Sequence, residues 1–270
     1  MQAPLGEKED DPAAPLLEFD GVVFRRGQVT VLDGVALTLA RGENLALLGR
    51  SGSGKTTLLR LANALLLPTE GEVRVEGRTT ASWDPIQLRR RTGSVLQEGG
   101  LFPHFTVARN IGLLPSLERW PAARVAARVT ELMQLVGLPP ALADRFPAQL
   151  SGGQRQRVGV ARALALEPPL LLCDEPFGAL DPLTRATLQR EFVALQRSLA
   201  ERGRPTSILL VTHDLREALV IGDRVALLEG GRAQVVATPG EFLRSTHPLA
   251  QAFVDALDAP SRRVADASAR

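Results

Sequence analysis

Apolar positions along the chain follow two periodicities, and the points where one gives way to the other predict its elements. Residues 16–39 read as β-strands broken at Arg25-Arg26-Gly27 and at the turn pair Asp33-Gly34. Asn44 to Leu48 is an apolar run of the length and flanks of a fully buried strand. From Gly54 onward Leu58, Leu59, Leu61, Ala62 and Leu65 recur at helical spacing, and the predicted helix ends near Pro68. An alternating strand, Glu72 to Glu76, comes next. A helix is predicted from Pro121 to Val136, with Pro121 in the first turn, Gly137 as the stop, and Val125, Val129, Leu132, Met133 and Val136 on the apolar face. A packed helical region over about residues 101–165 follows from this. Strands return at Ser94 to Leu96, Leu170 to Cys173, Ile208 to Val211, Val225 to Leu228 and Ala233 to Ala237, with helices at Pro182 to Arg202 and Leu215 to Ile221. Such alternation predicts an α/β core on a largely parallel sheet.

Composition narrows this picture. With 270 residues, 44% hydrophobic and 23% charged, the chain suits one domain with a small extension. No apolar run approaches the ~18 residues a membrane-spanning helix needs, so the chain is not expected to cross a bilayer. Residues 1–15, acidic and rich in Pro and Ala, read as a disordered cytoplasmic tail without the order of a secretory signal, and residues 259–270 as a loose tail around a domain at 16–258. Cys173 is the single cysteine and sits in an apolar strand, which predicts a small buried hydrophobe. Acids are interspersed with the arginines, so nucleic acid is not an expected partner. Lys8 and Lys55 are the only lysines of this Arg-rich chain.

Lys55 lies in Gly49-Arg50-Ser51-Gly52-Ser53-Gly54-Lys55-Thr56, which fits the spacing of a nucleotide P-loop between a buried strand and an apolar helix. Glycines let backbone N–H groups converge on phosphate oxygens, and the following helix adds its positive end. Lys55 can then reach the β- and γ-phosphates of ATP, and the Thr56 hydroxyl can ligate Mg²⁺. Leu170-Leu171-Leu172-Cys173-Asp174-Glu175 ends an apolar strand in two carboxylates. On its own an Asp-Glu pair reads as an exposed turn. Beside a P-loop, Asp174 would orient Mg²⁺ and Glu175 would polarise the attacking water.

Leu150-Ser151-Gly152-Gly153-Gln154, with Arg155-Gln156-Arg157 after it, resembles the signature sequence of ABC ATPases. Ser151 can N-cap a helix whose first turn is opened by Gly152 and Gly153, a second anion site. Other elements of that family stand in order: Gln97 after a strand, Ala179-Leu180-Asp181 past Glu175, and His213 after Thr212. The resemblance covers roughly Leu16 to Leu257. It implies a P-loop NTPase core with a mostly parallel sheet, an N-terminal antiparallel β subdomain and an inserted helical subdomain. It also implies a head-to-tail homodimer or paired ATPase subunit, in which Ser151, Gly152, Gly153 and Gln154 of one copy close on the nucleotide held by Lys55 of the other, with Thr57 and Asp181 at the same site. Gln97 would sense the γ-phosphate and Mg²⁺, and His213 would contact the γ-phosphate and hold Glu175. Integral membrane permease subunits, an external solute-binding protein and a peripheral place on the cytoplasmic face of the membrane complete what it implies. His104 and His247 lack such a context and are expected at the surface.

A narrower similarity links Asp84 to Arg90, Leu101-Phe102-Pro103-His104, Asn110-Ile111 and Arg119-Trp120 to importers of glycine betaine, choline and related osmoprotectants. Arg89 to Arg91 reads as a solvated helix face or, alternatively, a binding patch. Leu101 to Phe105, with Gln97, is expected at the interface with a membrane subunit, or else packed beneath the helical region. Two departures stand out. The C-terminal regulatory domains of many osmoprotectant relatives are not expected in a chain of this length, and Arg26 occupies the position where the family stacks an aromatic on adenine, with Phe24 the alternative. Import of another solute, lipid or amino acid included, and a non-transport ABC ATPase are the competing functions.

Overall fold

The computed structural model describes residues 14–257, so the expectations for the two tails lie outside the described residues, except at the inner edge of the first. An antiparallel sheet of order β2-β1-β4-β5 is built from β1 (Leu17–Arg26), β2 (Val29–Leu39), β4 (Glu70–Val75) and β5 (Arg78–Thr79). A six-stranded sheet of order β10-β9-β3-β8-β7-β6 joins β3 (Asn44–Leu48), β6 (Thr92–Val95), β7 (Leu170–Asp174), β8 (Ser207–Thr212), β9 (Arg224–Glu229) and β10 (Arg232–Ala237). All its pairings are parallel except β9 with β10. Helices are α1 (Lys55–Ala62), α2 (Pro85–Arg91), α3 (Val107–Leu117), α4 (Ala122–Leu135), α5 (Gly152–Ala163), α6 (Pro182–Glu201), α7 (Leu215–Ile221) and α8 (Pro239–Leu243), with residues 248–257 also helical. No helix of the described residues is long and apolar enough to cross a membrane.

The period of two along each strand sorts the core into two layers. Leu45, Leu47, Leu170, Leu172, Leu209 and Val211 face α1 and the antiparallel sheet. Ala46, Leu48, Leu171, Cys173, Ile208 and Leu210 face the helices on the other side. Burial on both faces is why these strands read as unbroken apolar runs. Cys173 is fully buried, and that burial pushes its thiol well above the usual range. α3, α4 and α5 fill 107–163, and α3 meets α4 so closely at Gly112 that a Cβ there would stand 2.9 Å from Val125 Cγ1.

Three local expectations are corrected. Asp33-Gly34 is not a turn: β2 runs through it with a register shift, the Asp33 N–H donating to the Gly231 carbonyl oxygen at 2.9 Å. The helix after Gly54 stops at Ala62, not near Pro68. Ala64 is left-handed at φ 53°, and the Leu65 N–H reaches back to the Arg60 carbonyl and that of Ala64 to Leu61, a C-terminal motif that leaves Leu65 and Leu67 exposed. Pro121 precedes α4 as its N-cap residue and so stands one position outside the first turn.

Candidate functional site

β3 delivers the loop Gly49–Gly54, and α1 carries Lys55 into the interior, where it is buried. Gly54 sits at φ 103°, and a Cβ on it would press 2.5 Å from Leu32 Cδ2, so the loop conformation and the covering β2 strand both demand glycine. No side chain caps the N-terminus of α1, and its first turn carries no acid. Its leading amides and dipole are therefore available to an anion. Lys55 Nζ donates to the carbonyls of Gly49 at 2.7 Å and Arg50 at 2.9 Å. Burial lowers the pKa of this lysine, while the charges of Glu175 and Asp174 act the other way.

The end of β7 lies beside this loop. Thr56 Oγ1 donates to Asp174 Oδ1 at 3.2 Å, and desolvation raises the Asp174 pKa against that hydrogen bond. A hydroxyl and a partly desolvated carboxylate in contact make a hard-oxygen pair suited to Mg²⁺. Glu175 is held at φ 45°, its N–H donating to the Val211 carbonyl at 3.0 Å. That strained backbone turns the carboxylate toward His213, whose Nδ1 is 3.2 Å from Glu175 Oε2. Val31, Ser51 to Thr57 and Glu175 line a cleft of about 280 Å³.

Gln97 follows β6 at the surface, and a Cβ on Gly178 would be 3.7 Å from its Nε2 and 3.5 Å from Glu175 Oε2, which places the amide and the carboxylate around one small residue. The segment after Gln97 is clamped to α5: Arg162 donates to the carbonyls of Gly99 and Gly100, each at 2.9 Å, and Gly159 packs under Gly99. Asn110 is fully buried and holds the next loop, accepting from the Phe102 N–H and donating to the carbonyls of Phe102, Phe105 and Thr106. Phe102, His104 and Phe105 form an aromatic group there, with Phe102 exposed and Phe105 half-buried under Arg109.

Ser151 caps α5 in a reciprocal box with Gln154, and its exposed hydroxyl stands with Gly153 and Gln154 in a separate cleft beside Thr184 and Leu188. Within one chain, then, Ser151 does not line the cleft of Lys55. Asp181 Oδ1 caps α6, accepting from Leu183 and Thr184, and these hydrogen bonds lower its pKa. Arg26 is exposed at the β1–β2 hairpin tip and is not among the residues lining the Lys55 cleft, whereas Phe24 packs against the sheet core. Residue-level reasoning on the sequence gave no role to Arg162, Arg185 and Glu217. Their signal was weak: each shares its helix with at least one other charged residue.

A family model described as ABC transporter matches residues 32–178. The "Glycine betaine/carnitine/choline transport ATP-binding protein OpuCA" of Bacillus subtilis (strain 168) is 46% identical over 229 residues, covering 85% of this chain and 59% of that protein. The "Fe(3+) ions import ATP-binding protein FbpC 2" of Rhodococcus jostii (strain RHA1) is also 46% identical over 229 residues, covering 84% and 63%. The chain thus spans less than two thirds of the length of these two relatives. Among solved structures, the post-hydrolysis dimer of the ATP-binding cassette MJ0796 bound to ADP and Pi superposes with a TM-score of 0.72 at 32% identity, over 83% of this chain and 98% of that one.

Proposed function

The chain belongs to the ABC transporter family, and from that premise we propose that it is the ATP-binding and ATP-hydrolysing subunit of an importer, working in pairs at the cytoplasmic face of a membrane with permease subunits and an external solute-binding protein. The observation that carries the ATPase reading is the Glu175–His213 contact at the mouth of the Lys55 cleft.

The loop amides of Gly52 to Thr56 and the N-terminus of α1 receive the triphosphate, and Lys55 exchanges two carbonyls for β- and γ-phosphate oxygens. Thr56, Asp174 and Gln97 would hold Mg²⁺, which would neutralise phosphate charge. Glu175 orients a water in line with the γ-phosphorus and takes its proton as the bond to the β-phosphate oxygen breaks, giving ADP and phosphate. His213 keeps that carboxylate aimed and presents Nε2 to the γ-phosphate. Ser151 to Gln154 of a second copy, with Asp181 at the same dimer interface, close the site, which accounts for their separate cleft in this chain.

Osmoprotectants of the glycine betaine and choline type are the solutes we assign, on the similarity over Asp84 to Trp120 and the Bacillus relative. Equal identity to the iron-import relative favours a second solute reading. Glu175→Gln decides the catalytic part: MgATP binding stays near normal, turnover is lost and a dimer accumulates by sedimentation, while near-normal hydrolysis removes Glu175 from its role. Reconstitution with the permease decides the solute, by asking whether binding protein loaded with glycine betaine or with Fe³⁺ stimulates hydrolysis.

A further inference from the structure

Glu217 is an acid in the interior that nothing so far uses. It sits in the first turn of α7 with 3% of its surface exposed, four residues after His213. Its Oε2 accepts from Thr212 Oγ1 at 2.5 Å, and the same Oγ1 accepts from the Asp214 N–H at 3.0 Å. Both neighbours of His213 in the chain are therefore tied to this one carboxylate. Asp214 caps α7 through the Arg216 N–H, and its other oxygen faces Arg185 Nη1 at 3.4 Å. Arg185, from α6, donates through Nη2 to the carbonyls of Gly178 at 3.3 Å and Leu180 at 3.1 Å. The connection runs unbroken from the His213 turn to the loop that follows Glu175.

Two buried atoms of this network have no hydrogen-bond partner among the described residues: Glu217 Oε1, an acceptor, and Arg185 Nε, a donor. Each is what the other lacks, and the charge of Arg185 acts on Glu217. Buried polar atoms of a native network are normally paired, directly or through water.

We propose that Glu217 and Arg185 are positioning residues for the reaction, which join through Oε1 and Nε across one water, and so hold the His213 turn and the Gly178–Leu180 loop as one unit around Glu175. This rests on the ATPase reading above. Neither side chain touches nucleotide, and both act through His213 and the loop backbone. The pairing needs Glu217 ionised. Burial pushes its carboxyl up to about 7, the Thr212 hydrogen bond and Arg185 lowering it, Asp214 and Glu175 raising it. From β7 and the residue after it the thiol of Cys173 and Glu175 face it, from α6 Arg185, from the N-cap of its own helix Asp214, and β3 and β8, packed on the same helix, carry no titratable side chain. Acidification through this range therefore loosens the His213 turn.

The test uses the full chain, comparing wild type, Glu217→Gln, which mimics the protonated acid, and Arg185→Lys, which keeps charge but loses the fork. Hydrolysis is followed from about pH 6 to about pH 8.5 together with MgATP affinity, and the Arg185 Nε–H signal of wild type and Glu217→Gln is followed by NMR over the same range. Wild-type kcat is expected to rise with an inflection near the Glu217 titration. In both variants kcat at the alkaline end falls roughly tenfold, as lost positioning costs, with ATP affinity within about twofold. In Glu217→Gln the inflection vanishes from the rate profile and from the Arg185 Nε–H signal. If wild type hydrolyses ATP and Glu217→Gln keeps both its rate and its inflection, the proposal is overturned. If wild type does not hydrolyse ATP, the ATPase reading falls instead, and persistence of the inflection in the Arg185 Nε–H signal of Glu217→Gln still overturns the positioning link.

Discussion

The carboxyl of Glu217 also sets how stability depends on pH. Its pKa rises from 4.5 in the unfolded chain to about 7 in the native one. Between those values the native state holds a proton that the unfolded state has released, so stability is highest below the unfolded pKa and falls as pH rises through the folded one. A shift of that size corresponds to about 3 kcal/mol lost on the alkaline side. Glu217→Gln keeps the volume and an oxygen for the Thr212 hydroxyl but cannot ionise. It places an amide donor opposite the Arg185 Nε donor, which costs about 1 kcal/mol. The expected net gain is about 2 kcal/mol at pH 8.5 and no gain near pH 4.5, where the same mismatch leaves the variant slightly the weaker. Denaturant unfolding of both proteins at the two pH values measures this directly. Equal midpoints at pH 8.5, or a larger advantage for glutamine at the acidic end, would refute the assignment of the buried charge. A gain in stability paired with a loss of turnover is the signature of a charge kept for function.

Three other outcomes are expected. Ser151→Arg leaves MgATP binding to the isolated chain intact and abolishes hydrolysis, because in the proposed dimer the hydroxyl acts on a second copy; lost binding in the monomer would place Ser151 in its own chain's site. Gly159→Ala gains helix propensity but drives a Cβ to 2.8 Å from Gly99 Cα. Backbone cannot yield as a side chain can, so thermal unfolding should show a net loss of about 1 kcal/mol, and an unchanged midpoint would mean the segment after Gln97 yields freely. Arg26→Tyr tightens MgATP binding by roughly 1 kcal/mol if the hairpin tip meets the base, by loose analogy with stacking in nucleic-acid proteins. Unchanged ATP affinity there, with weaker binding in Phe24→Ala, would move the stacking role to Phe24.

By itself the sequence determined the parts whose physics is local. Gly49 to Thr56 encodes the loop proposed to take phosphate because the positive φ at Gly52 and Gly54 and the reach of Lys55 are properties of eight consecutive residues. The apolar runs Asn44–Leu48, Leu170–Asp174 and Ser207–Thr212 announced strands buried on two faces, and Ser151 with Gln154 announced its helix start. Tertiary structure decided what depends on neighbours distant in the chain. The end of α1 is a local exception that the periodicity hides: Leu65 continues a helical pattern, yet the Ala64 and Leu65 N–H groups turn back to the Leu61 and Arg60 carbonyls and the helix stops at Ala62. Asp33-Gly34 has turn composition, yet pairing with β1 and the Gly231 carbonyl keeps it in a strand. Asn110, Arg162, Arg185 and Glu217 carry no local pattern that marks them. The roles of Arg185 and Glu217 arise only when the parallel crossovers bring β7, β8, α6 and α7 together, and those of Asn110 and Arg162 when α3 and α5 close on residues 99–106, because burial turns an ordinary polar side chain into one that must find a partner.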